Sequence, residues 1–95
     1  MCFKQAKNVA VRAFDDALFL VDPEHAQLHE LNEVGGRIWS LCDGQHSPQE
    51  MVHKVFEEFD VSREQAQIDI DMFLQRLVGK ALVIPCARQP KQSQL

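Results

Sequence analysis

The side chains that could do chemistry are few, and their spacing does not assemble them. His25 and His29 are four residues apart, a spacing that puts two ligands on one face only within a helix, and here they fall in a turn and a strand. Solvated or cap-forming histidines are the better account. Glu57, Glu58 and Asp60 could gather a cation, yet a solvated helix end explains them as well. The three cysteines, Cys2, Cys42 and Cys86, form no Cys-x-x-Cys pair, which points away from a disulfide framework or a zinc knuckle. Cys42 sits in an apolar run and reads as a small core residue, while Cys2 and Cys86 fall in or near tails, open to reagents. Ser47 and Ser62 stand at helix starts, where their hydroxyls cap backbone amides rather than attack a substrate. There is no glycine-rich phosphate loop, Gly-x-Ser-x-Gly elbow or His-Glu-x-x-His helix. The expectation is a protein without a catalytic centre, cofactor or metal.

What the sequence offers instead is surface. At 100° per residue, the helix after Ser62 centres its core stripe on Ala66, Ile70, Phe73, Leu74 and Leu77. Ile68 and Met72 fall beside or opposite that stripe, with Asp69 and Arg76 between Met72 and the core edge. Scattered surface hydrophobes would leave the same trace. So would the floor of a groove that receives a partner segment.

The elements that must hold such a groove are legible in outline. Strands are expected over Val9–Phe14, Ala17–Val21 (apolar enough to be covered on both faces) and Gln27–Leu31. The intervening turns are Asp15-Asp16 and Asp22-Pro-Glu-His25, too short for a parallel crossover, so the strands form an antiparallel meander. Asn32 is a good N-cap for a helix carrying Val34, Ile38, Leu41 and Cys42, with Gly44 as its stop. Gly35-Gly36 inside that helix costs about 1 kcal/mol per glycine relative to alanine, and is read as close packing against another element. Trp39 is expected at a helix–sheet seam.

Ser47-Pro-Gln-Glu50 is a capping box that starts a second helix with stripe Met51, Val52, Val55, Phe56 and Phe59. Ser62-Arg-Glu-Gln65 starts the third in the same way, with Val61 and Ala66 as a hydrophobic staple. The chain then turns near Gly79 into Leu82-Val-Ile84, which Pro85 is expected to end. The fold class is α+β and winged-helix-like, a three-stranded antiparallel sheet packed on three helices. Residues 1–7 read as a flexible tail, 8–85 as the folded domain and 86–95 as a second flexible tail.

Charge narrows the partners. Ten basic residues stand against fourteen acidic ones, for a net charge of −4. Four of the basic residues (Lys4, Lys7, Arg88 and Lys91) lie in the presumptive tails, so the body between Asn8 and Ile84 carries −8. Such a body repels phosphate backbones and favours neutral or basic partners. The third helix balances Arg63, Arg76 and Lys80 against Glu64, Asp69 and Asp71, which argues against a recognition helix for nucleic acid. No apolar run approaches the roughly 20 residues of a membrane span, and no secretory signal is visible, so the expected address is cytoplasmic, without membrane attachment.

At the level of motifs the chain resembles the PqqD family. The likeness is carried by Leu31-Asn-Glu-Val-Gly-Gly-Arg-Ile-Trp-Ser-Leu-Cys-Asp-Gly44 with Ser47-Pro-Gln-Glu50, and by Asp69-Ile-Asp-Met-Phe-Leu-Gln-Arg-Leu77 followed by Leu82. It runs from about Val9 to Ile84 and identifies no particular pathway. One departure is local: the family usually has Gly-Leu after the third helix, where this chain has Ala81-Leu82, with glycine earlier at Gly79.

The resemblance implies a non-catalytic peptide-recognition element. It would bind the leader segment of a ribosomally made precursor peptide and present it to a modifying enzyme, often a radical S-adenosylmethionine enzyme. The leader would lie as an added strand along Gln27, Leu28, His29, Glu30 and Leu31, with Asp69, Met72, Phe73 and Arg76 on the opposite wall. Two other classes stay open at this point, a winged-helix nucleic-acid-binding regulator and a protein–protein adaptor subunit using the same groove. A homodimer through an unprotected third-strand edge is a further expectation.

Overall fold

The computed structural model describes residues 2–15, 17–22, 24 and 26–86. The order of elements is β1 (Cys2–Gln5), β2 (Ala10–Phe14), β3 (Ala17–Asp22), β4 (Gln27–Leu31), α1 (Glu33–Leu41), α2 (Pro48–Glu58), α3 (Arg63–Gly79) and β5 (Val83–Cys86). The expected meander is present: β2, β3 and β4 pair in that order, all antiparallel. Leu18 stands opposite Leu31, and Leu20 opposite His29. The pleat therefore turns Leu18, Leu20 and Leu31 towards the helices, and Leu20 and Leu31 are buried there. Ala17, Phe19 and Val21 face the other way and are half-buried, so β3 is covered fully on one face only, not on both as expected. Asp16, Pro23 and His25 of the expected turns lie outside the described residues.

The helices begin where local chemistry dictates. Asn32 Oδ1 accepts from the Gly35 amide at 2.7 Å and starts α1. Ser47 closes a complete capping box with Glu50, and Pro48 opens α2. At α3 only half of the expected box forms. Ser62 Oγ accepts from the Gln65 amide at 3.0 Å, but the Gln65 side-chain amide donates to Asp69 Oδ1 at 2.9 Å. A carboxylate one turn along is the stronger acceptor, so the side chain turns forward rather than back.

The end of α3 is a Schellman motif without its usual glycine. The amide of Ala81 donates to the Val78 carbonyl at 3.0 Å and that of Leu82 to the Leu77 carbonyl at 2.9 Å. Ala81 takes the left-handed conformation this requires, at φ 60°. Leu77 and Leu82, both buried, are the apolar contact that accompanies the motif. Gly79 lies inside the helix, so the reversal falls two residues beyond it.

The N-terminus corrects the expectation of a loose tail. Cys2–Gln5 is a strand, antiparallel to β5, with Cys2 opposite Cys86 and Phe3 opposite Pro85. On its other side β1 meets the segment after α1: the Gln5 amide donates to the Cys42 carbonyl and the Gly44 amide to the Phe3 carbonyl. Cys2 is fully buried, so the thiol expected in a tail is a core atom instead. Pro85 does not end the last segment, since β5 continues to Cys86; an edge strand tolerates a residue with no amide hydrogen. Residues 87–95, the rest of the expected C-terminal tail, lie outside the described residues.

All five expected core positions of α3 are buried, together with Ile38, Leu41 and Cys42 of α1 and its cap and Met51, Val52 and Val55 of α2. Phe56, placed in the α2 stripe, is instead exposed, and the Arg63 guanidinium stacks over its ring at 4.6 Å. Trp39 packs into the core, and its carbonyl accepts from Gln5 Nε2 at 2.8 Å, tying α1 to β1. The glycine pair is the close approach its cost suggested. A Cβ on Gly35 would meet Asn32 Oδ1 at 3.2 Å and Phe73 at 3.6 Å; one on Gly36 would meet only Leu18, at 3.4 Å. Among the described residues no helix is long and apolar enough to cross a membrane.

Candidate functional site: a groove between β4 and α3

Strand β4 pairs with β3 on one side, and among the described residues no strand pairs with its other side. A row of backbone donors and acceptors is thus left on that edge. Beside the edge lies an open groove of about 710 Å³. One wall is Glu30 and Leu31 of β4 with Asn32, the floor comes from Val34, Gly35 and Ile38 of α1, and the other wall is Asp69, Met72, Phe73, Gln75 and Arg76 of α3. The absence of a Cβ at Gly35 keeps the floor low where α1 passes under Phe73.

Six of the residues expected at a binding site come together here: Glu30, Leu31, Asp69, Met72, Phe73 and Arg76. Gln27, Leu28 and His29 do not line the groove. By strand register His29 turns inward opposite Leu20, where it is half-buried, and Leu28 turns to the outer face of the sheet, 63% exposed. Gln27 pairs with Asp22 at the far end of the strand.

Asn32, Val34, Gly35, Ile38 and Gln75 line the groove and were not anticipated as site residues. Gly35 carried a signal in its unfavourable position inside a helix, and Gln75 in its i+3 spacing from Met72. The α1 residues carried none, because nothing local says that α1 passes beneath the cleft.

The groove is apolar with charged rims. Met72 is 65% exposed while its neighbour Phe73 is 7% exposed, so the helix offers a flexible thioether above a fixed ring. Asp69 is oriented by Gln65, and Arg76 lies in the last turn of α3, where the helix dipole favours a cation. Among the described residues no ion pair involves Arg76. Ile68 continues the strip one turn towards the start of α3 and is half exposed, outside the groove lining.

The other polar clusters have structural roles. Arg37 Nε and Nη2 donate to the two carboxylate oxygens of Glu58 at 2.7 and 2.9 Å, joining α1 to α2. That hydrogen bond lowers the Glu58 pKa and raises that of Arg37. Partial burial pushes the Asp43 carboxyl up, but hydrogen bonds from His46 and the Gln45 amide outweigh it and hold the pKa below its ordinary value. Glu57 faces His53 at 3.3 Å. Of the two histidines weighed as metal ligands, His29 is in β4 and His25 lies outside the described residues.

No curated protein sequence matches this chain. The family model for coenzyme PQQ synthesis protein D (PqqD) matches residues 17–83, which holds β3, β4 and all three helices. The chain belongs to the PqqD family. Two solved PqqD-like structures share its fold. One, TbiB1 in complex with the TbiA(beta) leader peptide, is 31% identical, with a TM-score of 0.73 over 88% of this chain and 98% of the other. The second, lasso peptide synthetase B1 complexed with the leader peptide, is 26% identical, with a TM-score of 0.75 over 90% of this chain and all of the other. Both match nearly end to end, so the family fold accounts for almost the whole described chain, including the α+β class expected from the sequence.

Proposed function

We propose that this protein binds the leader segment of a ribosomally synthesised precursor peptide by strand addition and holds it for a separate modifying enzyme. The observation that carries the reading is the unpaired edge of β4 running beside an apolar groove. The likeness to two proteins whose structures hold leader peptides supports it.

An extended segment laid along β4 would satisfy the vacant edge, each backbone bond contributing about 0.5–1.5 kcal/mol net. Main-chain bonding alone would accept any extended peptide. Selection would come from alternate side chains of the segment entering the groove against Met72, Phe73 and Ile38, with Asp69 and Arg76 setting the charge register at its rim. Ordering a flexible leader opposes binding, so affinity on the order of micromolar or somewhat tighter is expected.

The protein acts here as a presenter and not as the catalyst. The recipient would be an enzyme of a peptide-modifying pathway, a radical S-adenosylmethionine enzyme being the class the family resemblance first suggests. The net charge of −8 on the body and the balanced charges of α3 weigh against a nucleic acid in the same place.

The test is calorimetric titration with a synthetic leader of a short precursor peptide encoded beside the gene, repeated with Met72→Asp. Because Met72 is exposed, the variant should fold normally and lose at least about tenfold in affinity, or about 1.4 kcal/mol. Undiminished binding by a folded Met72→Asp would remove the groove from the account.

A further inference from the structure

The outer face of the β2–β3–β4 sheet, the side turned away from the helices, is built in rows that the register defines. One row reads Arg12, Phe19, Glu30 across the three strands, and the next reads Ala10, Val21, Leu28. Leu28 is 63% exposed, and Phe14, 61% exposed, rests edge-on against Phe19 with ring centroids 5.7 Å apart. Among the described residues neither Arg12 nor Glu30 is in an ion pair; Arg12 only reaches the carbonyl of its neighbour Val11. Exposed hydrophobes alone would say little. The order of residues along the rows says more.

We infer that this face is an interface between two copies of the chain, stacked sheet on sheet about a twofold axis running along β3. Rotation about that axis exchanges the positions of β2 and β4. Arg12 of one copy then lies over Glu30 of the other, twice by symmetry, and the small Ala10 lies over the large Leu28. Phe19 and Val21 meet their own counterparts at the centre.

Strands spaced about 4.8 Å apart put Arg12 and Glu30 roughly 10 Å from each other within one sheet, too far to pair. Sheets stacked about 10 Å apart bring the two side chains of opposite copies within reach. The other in-plane twofold through the same row, perpendicular to the strands, sets Arg12 over Arg12 and Glu30 over Glu30. Charge and size thus select one arrangement of a second copy out of two.

The arrangement differs from pairing through the β4 edge. It uses the flat of the sheet and leaves that edge and the groove beside it open on both copies. It leaves open what occupies the groove, although Glu30, which pairs on this face, also borders that groove.

Sedimentation equilibrium of the full chain over about 1 µM to about 1 mM tests it, a range that covers the affinities expected of a small interface. Wild type should pass from monomer to dimer mass within that range. Arg12→Glu and Glu30→Arg should each weaken association at least about tenfold, and the double variant Arg12→Glu/Glu30→Arg should return to within about threefold of wild type. Circular dichroism on each variant confirms that the sheet is intact. A wild type that stays monomeric throughout, because the face serves a different partner or none, overturns the inference. So does a dimer indifferent to both single reversals, which would lie elsewhere, or one that the double variant fails to restore.

Discussion

Gly35 and Phe73 face each other across the groove floor, so close that a Cβ on Gly35 would stand 3.6 Å from the ring edge of Phe73 and 3.2 Å from the cap oxygen of Asn32. The cleft owes its depth to a missing side chain. Gly35→Leu should therefore fill the groove and reduce leader affinity at least about tenfold by calorimetry. Gly36→Ala, whose added methyl meets only the flexible end of Leu18, should leave binding unchanged and gain up to about 1 kcal/mol of helix stability in urea titration. Equal affinity in folded Gly35→Leu would show that the leader passes elsewhere.

Ala81 carries the strain of the turn after α3. A left-handed alanine costs about 1–2 kcal/mol more than glycine, and the motif's two hydrogen bonds already hold the backbone there. Ala81→Gly should raise stability by about 1 kcal/mol, or about 4–8 °C in Tm for a domain this size. Gly79→Ala, with nothing within 4 Å of the new methyl, should add a smaller gain. A fall in Tm for Ala81→Gly would mean that the turn is not strained.

Acid should act through Asp43 and Glu58, both held below their ordinary pKa in the fold. A depressed carboxyl contributes stability that is complete above its unfolded pKa and is lost as pH falls through its folded one. Urea midpoints should hold steady from neutral pH down to the ordinary carboxylate range, about pH 4, then drop below it. Asp43→Asn and Glu58→Gln should each lower the neutral plateau and flatten that acid limb. An unchanged limb in the double variant would assign acid sensitivity to other groups.

Thiol reactivity should rank by environment. Burial pushes the Cys42 thiol up to about 12, so it holds almost no thiolate near neutral pH, and Cys2 is fully buried in β1. Only Cys86, half-buried at the edge, should react rapidly with an aromatic disulfide reagent in the native protein, with all three cysteines reacting in denaturant. Rapid native modification of Cys2 would show that β1 opens easily.

Much of the fold could be read directly from residues. The N-caps at Asn32, Ser47 and Ser62, the buried stripe of α3 and the exposed strip at Met72 depend on neighbours within about one helical turn, and such contacts are written in spacing. The meander followed because its turns are too short for any other connection. The choice of Asp69, Met72, Phe73 and Arg76 as the α3 wall came from the family resemblance, and spacing added only that they share one helix face.

Tertiary structure alone decided the rest. Nothing near Cys2 in the chain reveals that it pairs with Cys86, because strand pairing depends on a partner's position in space rather than on local pattern. For the same reason the approach of α1 beneath the cleft, and with it Gly35 and Ile38 as floor, was out of reach. Which face of the sheet each of Gln27–Leu31 takes rests on register, and a shift of one residue would reverse it. Residue patterns determine what each element can bury; only the packed chain determines which surfaces are left uncovered.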